Sequence, residues 1–445
     1  MRRLLPVALA LCCLLSAGAV AAPLSGPAAE RSPAVSPTAG VAAADTARAV
    51  DAQAAGCPDA PGIVCVPNTT NYLAPDQASV VVASANDSSL DVSTALSTDA
   101  ARTTERLRAG TLRAAFESAE TDAERRAVVE RFAGRLDNRS TVFRERQREA
   151  LTAYNEGELS DDAFLRTLVR LDASGDRLER TVGELARYRD RTGADVSDAQ
   201  LGELYTDLVA LDGPVRDRLK AVYDGTQPST RVFIETSDQG IVLAAIVDRR
   251  GQETFVREAH LLDARAPGSA DEYDGNPTRV VDRASELYPW TFDNRGPTQI
   301  NLKTRPFGTV GTYRIVKYHP QGRLTTFLDG SSHRVFSEYQ YKEMDRIPTT
   351  TAAKTNESAG MTLTLRRTHE GGPFNVTVTD AETDRPVDAT VRVNDWRLGT
   401  TGDDGSVRAV TPRSVIVTVV AEYEGRTVTI SRTTDDRRAL VGPNS

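Results

Sequence analysis

The sequence predicts a multidomain α and β chain: an antiparallel, coiled-coil-like helical bundle, then an α+β domain with an antiparallel sheet, then a small all-β sandwich. Three observations predict it. Between about residues 97 and 225, apolar side chains recur at spacings of three and four, the period of a helix with one buried face. From Thr230 the period switches to two, the period of strands. From Met361 short alternating runs are separated by turn residues every eight to twelve positions, the rhythm of a sandwich.

The first element is a leader. Arg2 and Arg3 precede an apolar run from Leu4 to Leu15 and the small residues Ser16 to Ala22, so cleavage after Ala21 fits an export signal at 1–21. An uncleaved anchor is the alternative, because Leu4 to Ala22 is 19 residues without charge. Either way the arginines stay inside and the rest of the chain is expected outside the cell or on its surface. Residues 22–56 are Ala, Pro, Ser, Thr and Gly with few large apolar side chains, the composition of a disordered spacer. Residues 57–96 form a small Cys-loop segment with the run Asn68-Thr69-Thr70-Asn71-Tyr72-Leu73 and the β-prone Ser79-Val80-Val81-Val82, expected to pack onto another element. Once the leader is gone the remaining cysteines are Cys57 and Cys65, a disulfide in an exported chain, with two free thiols as the bland alternative. N-x-S/T sequons at Asn68, Asn86, Asn138, Asn356 and Asn375 are candidate N-glycosylation sites there.

The bundle at 97–225 carries its own punctuation. Thr121-Asp122-Ala123-Glu124 and Ser197-Asp198-Ala199-Gln200 read as capping boxes, Ser160 with Asp161 and Asp162 as a third helix start, and Ser97 with Asp99 as the first. Phe164, Leu168, Leu171, Gly175, Leu178, Val182 and Leu185 make a heptad seam, and Leu201 to Val222 stays in phase across a kink at Gly213-Pro214. Short connections fold these helices back on one another within one molecule, so a monomer is expected. The α+β domain spans 230–347. Strands are predicted at Arg231–Glu235, Gly240–Val247 and Thr254–His260, a helix over Thr278–Tyr288, and a meander through Thr312–Tyr318, Arg323–Leu328 and Val335–Tyr341. A Thr/Ala-rich linker at 348–360 leads to the sandwich at 361–435 and a tail at 436–445.

Two resemblances follow from particular residues. Val376-Thr377-Val378-Thr379-Asp380, Arg385-Pro386-Val387-Asp388-Ala389-Thr390-Val391 and Thr400-Thr401-Gly402-Asp403-Asp404-Gly405-Ser406-Val407 resemble carboxypeptidase regulatory-like, or transthyretin-like, sandwich modules, which implies a non-catalytic spacer or binding unit. Residues 57–347 are similar to uncharacterised exported proteins of halophilic archaea. That similarity rests on the helical block, Phe233 to Ser237 with Gly240 to Ala244, Val256-Arg257-Glu258-Ala259, Glu286-Leu287-Tyr288-Pro289-Trp290, and His319 to Thr325 running into Leu328-Asp329-Gly330. It implies compartment and architecture only. The acidic, Lys-poor composition, with five Lys against 49 Arg and a net charge of -8, suits high salt and disfavours nucleic acid as a partner. The helix and hairpins of 278–341 also resemble PepSY modules, which implies regulation or inhibition of an extracellular peptidase.

No catalytic residue, metal ligand or cofactor site emerges. The four histidines, His260, His319, His333 and His369, form no close pair, and Ser331-Ser332-His333 reads as a turn. No G-x-S-x-G elbow, P-loop or G-x-G-x-x-G is present. The chain is therefore expected to be a non-enzymatic exported or cell-envelope protein, a helical spacer presenting β-rich modules to a protein or surface polymer. Regulation of an extracellular peptidase is the alternative.

Overall fold

The structure, a computed structural model, describes residues 60–76, 80–301, 311–349, 353–394, 396–411, 413 and 416–433. The leader, the spacer, Cys57 and the tail lie outside them. Short strands β1 (Ile63–Val64) and β2 (Tyr72–Leu73) pair in a strap at the start. After β3 (Val81–Ser88) come five helices: α1 (Val92–Ser118), α2 (Asp122–Asn155), α3 (Asp161–Thr192), α4 (Asp198–Val209) and α5 (Pro214–Tyr223). Strands β4 (Thr230–Ser237), β5 (Gly240–Arg249) and β6 (Gln252–Leu261) follow, then helices α6 (Pro277–Leu287) and α7 (Pro289–Asp293). Strands β7 (Thr298–Asn301), β8 (Thr312–His319), β9 (Gly322–Asp329) and β10 (Val335–Glu343) complete one antiparallel eight-stranded sheet, ordered β3-β4-β5-β6-β10-β9-β8-β7. The fold is multidomain α and β, as the periodicities predict.

The helix starts follow the side-chain chemistry. Thr121 and Ser197 form reciprocal capping boxes with Glu124 and Gln200, and the Ser160 hydroxyl accepts from the Ala163 amide. Gly193 ends α3 in the left-handed conformation at φ +63°. The expected start at Ser97 is corrected. The Asp91 carboxylate accepts from the Thr94 amide, so the helix cap lies at Asp91 instead and Ser97 sits inside the helix. The expected kink at Gly213-Pro214 is also corrected to a full break, with Gly213 as N-cap and Pro214 as the first residue of a new helix. The buried face nevertheless continues through Leu201, Leu204, Leu208, Leu211, Val215, Leu219 and Val222.

The bundle is an insertion between two neighbouring strands, because β3 precedes it, β4 follows it, and the two pair directly. The Asp91 amide donates to the Tyr223 carbonyl where the insertion closes. At one end α1 to α4 share a core built from Phe116, Phe132, Leu136, Phe143, Leu178 and Leu185. At the other, Leu165, Val169, Val215 and Leu219 pack against Val232, Ile234, Leu243 and Val256 of the sheet. The described part of 57–96, a segment expected to pack onto another element, supplies the strap and an edge strand of the sheet.

The sheet's second face is covered by the strap, α6 and the C-terminal sandwich. Both faces being covered, its central strands are buried nearly end to end rather than alternately. The sandwich packs β11 (Lys354–Ser358), β12 (Met361–Arg367), β13 (Pro373–Asp380) and β16 (Ser406–Val410) against β14 (Thr390–Val393), β15 (Trp396–Thr400), β17 (Ile416–Tyr423) and β18 (Arg426–Thr433). Its core is Leu363, Leu365, Val376, Val378, Val391, Val417, Val419 and Ile430. The second half of the expected linker is strand β11, pairing with β12.

Candidate functional site

The chemically richest place in the molecule lies where strap, sheet and sandwich meet. Cross-strand register sets Phe233, Ala244, Arg257 and Gln340 in one row across β4, β5, β6 and β10, with Glu338 two residues from Gln340 on the same face. Glu338 is fully buried and accepts four hydrogen bonds: from the Leu73 amide at 2.9 Å, the Tyr288 hydroxyl at 2.7 Å, Gln340 Nε2 at 2.9 Å and Arg257 Nη1 at 3.3 Å. Arg257 also donates to the Leu73 carbonyl at 2.6 Å and lies 4.8 Å from the centre of the Tyr72 ring. Burial pushes the Glu338 carboxyl up, and the guanidinium of Arg257 with these donors opposes that.

The strap is tied to this row by its polar residues. Gln340 Nε2 donates to the Asn71 carbonyl at 2.7 Å, and Asn71 Nδ2 donates to the Leu287 carbonyl at the end of α6 at 2.8 Å. Lys342, fully buried, donates to Thr69 Oγ1 at 3.0 Å and the Thr70 carbonyl at 3.4 Å. Burial, opposed by Glu338 and reinforced by Arg257, lowers its ammonium to about 7. Thr70 Oγ1 stands 3.3 Å from His319 Nε2, and burial, followed by Lys342 and Lys317, lowers that imidazole to about 3. The sandwich joins from outside. Arg413 donates through Nε to Glu235 at 2.7 Å and through Nη2 to the Pro75 carbonyl at 2.8 Å, while His369 stacks on Tyr72 with centroids 5.6 Å apart.

A second buried pair sits on the opposite face. Glu258 and Arg216 are both 0% exposed, with Nε to Oε1 at 3.0 Å. Glu258 Oε2 accepts the Val215 amide at 2.7 Å, so a sheet carboxylate caps the first turn of α5 and meets the positive end of its dipole. Burial raises this carboxyl to about 7 against the pull of Arg216. Tyr339 donates to the Val209 and Asp212 carbonyls, binding the α4–α5 corner to β10.

Among the described residues, one group of His, Cys, Asp and Glu side chains could hold a metal ion: Asp172, Asp176 and Asp217. Lys220 already occupies it, with its ammonium 2.5, 3.0 and 2.7 Å from the three carboxylates. Burial acts to lower that ammonium, and the carboxylates outweigh it, so it is held above the ordinary lysine value. Separately, a cavity of about 300 Å³ lies between sheet and sandwich, lined by Arg231, Phe233, Glu253, Trp396, Leu398 and Arg408. It is bridged by the Arg408–Glu253 ion pair and by Arg231 donating to the Leu398 carbonyl.

The residues singled out by sequence fall as follows. Cys65 is disulfide-bonded, and Cys57 lies outside the described residues. Asn68 is exposed at φ +59° next to the strap, Asn138 is exposed on α2, and Asn356 donates to the Thr429 carbonyl across the sandwich. Asn375 is half-buried and bonded to Thr377 and Ser406, and Asn86 lies in β3. Each histidine has its own setting. His260 faces Ser337, His319 the strap, His333 Glu272, and His369 Tyr72. Ser331 and Ser332 brace a turn, donating to Asp329 and to the Ala264 carbonyl. Tyr288 is a buried polar anchor through Glu338, while Trp290 packs edge-on against His319. The junction itself escaped sequence reasoning. Its one signal is the adjacent pair Arg257-Glu258 between Phe255-Val256 and Ala259 in a strand, one charge to each covered face.

Fold and site together define a modular protein in which helical, sheet and sandwich units are fastened by buried charge. Residues 1–228, just over half of the chain, match the domain of unknown function DUF7096, and the chain belongs to that family. Residues 232–348 match the family of unknown function DUF7094, and residues 351–430 match the archaeal fibronectin-III type-like domain. The expected sandwich is thus present, and its matching family is the fibronectin-III-like one rather than the carboxypeptidase regulatory-like one. No curated protein matches the chain. No helix among the described residues is long and apolar enough to cross a membrane.

Proposed function

We propose that this chain is a non-enzymatic exported or envelope-associated protein that holds a helical bundle and a fibronectin-III-like module in fixed relation, so that each can bind a protein or surface polymer. The observation that carries the reading is how the buried charges of the junction are used. Glu338 takes four intramolecular donors, Glu235 takes Arg413 of the sandwich, and Glu258 takes Arg216 and a helix terminus, so each fastens one segment to another. An acid–base catalyst needs a titrating group within reach of a substrate; these groups are spent on the chain itself. The export leader predicted at 1–21 and the acidic composition support the compartment.

The peptidase-regulator reading draws on residues 278–341. There β8 is paired on both sides, by β7 and β9, and β9 lies between β8 and β10, so among the described residues of this region only the four-residue edge strand β7 has an unpaired side to offer a peptidase. The test is capture from cell-envelope extract in high-salt buffer on the immobilised full chain, beside a chain carrying Trp396→Ala and Arg408→Ala on the sandwich. Retention of a defined envelope protein or polymer is expected. Chemical turnover of an envelope component by the purified chain would overturn the proposal.

A further inference from the structure

Helix α1 is inside out. Its inward face buries Thr94, Thr98 and Glu105, each under 5% exposed, while Leu96 and Leu107 point to solvent at 67% and Val92 at 61%. Much of its hold on the bundle is charge: Glu105 bonds Arg139 of α2, Arg102 lies 3.9 Å from Asp224, and the exposed Arg113 bonds Glu184 of α3. Only towards its C-terminus, at Leu112 and Phe116, does α1 join the apolar core. The outward residues Ser93, Leu96, Ala100, Thr103, Leu107 and Gly110 are all exposed and recur at spacings of 3, 4, 3, 4 and 3, an uncharged heptad seam that none of the described residues covers.

We propose that α1 pairs antiparallel with α1 of a second copy of this chain across a two-fold axis, through this seam. One register satisfies both packing and charge. Setting Leu96 opposite Leu107 of the other copy places Ala100 opposite Thr103, so two large layers flank two small ones that let the backbones approach. The same register brings Asp99 beside Arg106 of the other copy, twice by symmetry. Arg106 and Arg102 of α1 lie near enough to Arg177 of α3 to repel it, as Arg180 does, with Asp176 opposing them, so an incoming carboxylate meets positive charge there. A shift of one heptad sets Arg106 against its own copy and offers Asp99 only Arg113, which Glu184 already holds at 3.0 Å, and a parallel arrangement sets Asp99 against Thr104. The flank on the other side of the seam, Ser97, Thr104 and Thr111, carries no charge. Overlap from 93 to 110 runs about 27 Å along the helix, a contact smaller than a standard stable interface of ~1,200 Å² or more. The dimer is accordingly concentration-dependent, with dissociation in the micromolar range or above.

The test is sedimentation equilibrium of the full exported chain from about 1 to 300 µM, spanning the expected dissociation range. A monomer–dimer equilibrium is expected. Leu96→Glu with Leu107→Glu, both at exposed positions, should weaken association at least ~100-fold while leaving the melting curve unchanged. Asp99→Arg alone should weaken it, and Asp99→Arg with Arg106→Asp should restore it. A wild-type chain that stays monomeric throughout overturns the proposal, including the case in which it instead sediments with anionic lipid vesicles through Leu96 and Leu107. A dimer indifferent to the double glutamate variant overturns it too. Failure of the charge exchange to restore association overturns the antiparallel register.

Discussion

Replacing Gly213 by alanine isolates the joint between bundle and sheet. A Cβ at that position would stand 2.1 Å from Glu258 Oε2 and 2.3 Å from its Cδ. Backbone strain is not the reason for glycine, since φ is -179°, an extended value open to any residue. The three nearest atoms all belong to the Glu258 carboxylate, and that carboxylate cannot yield cheaply. It accepts the Val215 amide at 2.7 Å and pairs with Arg216 at 3.0 Å, both residues being fully buried. Backing away by an ångström or more separates two charges in a dry interior. Breaking a buried pair on one side costs ~3–5 kcal/mol, so Gly213→Ala should cost ~3 kcal/mol or more of stability. The assay is urea unfolding followed by far-ultraviolet circular dichroism, on the full chain and on a chain already carrying Glu258→Ala with Arg216→Met. In that second background the carboxylate is gone, and the same alanine should cost under ~1 kcal/mol. A loss below ~1 kcal/mol in the wild-type background, or an equal loss in both, would refute the reasoning.

Lys342→Met tests the buried ammonium under the strap. Its folded value of about 7 lies below the unfolded 10.5, so the unfolded chain binds more protons between those limits. Wild-type stability relative to the variant should therefore rise with pH from 7 to 10.5, by a few kcal/mol at most; a pH-independent difference would be the contrary result. Lys220→Met leaves Asp172, Asp176 and Asp217 facing one another, costs ~3–5 kcal/mol near pH 7, and should be partly rescued on acidification as Asp172, whose carboxyl burial already pushes well above its ordinary range, takes up a proton. Thermal melts at pH 5 and 7 decide it, and a loss that grows at pH 5 would count against the ion cluster. Arg413→Ala leaves Glu235 buried without its guanidinium, so the sandwich should melt in a calorimetric transition of its own and residues 348–353 should be cut faster by protease. An unchanged single transition would mean that the junction is held by other contacts.

What could be read from the sequence depended on how far apart the partners lie. The caps at Thr121, Ser160 and Ser197 close over three residues, so spacing alone reveals them. The β4–β6 and β8–β10 strands join through tight turns, and their alternation is local. The strap is the opposite case. Asn68-Thr69-Thr70-Asn71 has the composition of a surface loop, yet Thr69 and Thr70 bond Gln321 and His319, about 250 positions away, under full burial. Nothing within the strap itself distinguishes a solvated threonine from one awaiting a distant lysine. Gly213-Pro214 falls between the two cases. The helical phase persists across it, which suggests a kink, but a break is selected because Glu258, 44 residues from Pro214, supplies the cap that makes a new N-terminus stable.

The family boundaries near 228–232 and 348–351 fall where sequence similarity changes, but the cohesive joints cross both. Strap and β3 belong to the first matched region, where β3 completes the sheet of the second and the strap lies bonded against it; Arg413 and His369 belong to the third and close on strap and sheet. An insertion between paired strands begins and ends about 5 Å apart, so the bundle could have swung as a body about that hinge. Glu258 beneath α5 and Tyr339 against the α4–α5 corner remove that freedom on one face, as Arg413 does for the sandwich on the other. Buried ion pairs add little net stability over apolar packing and are sensitive to geometry. Their concentration at these two joints therefore fits a selection for fixed angle more than for strength. A protein that only tethered its modules would need neither joint; one that must offer two surfaces at a set distance needs both.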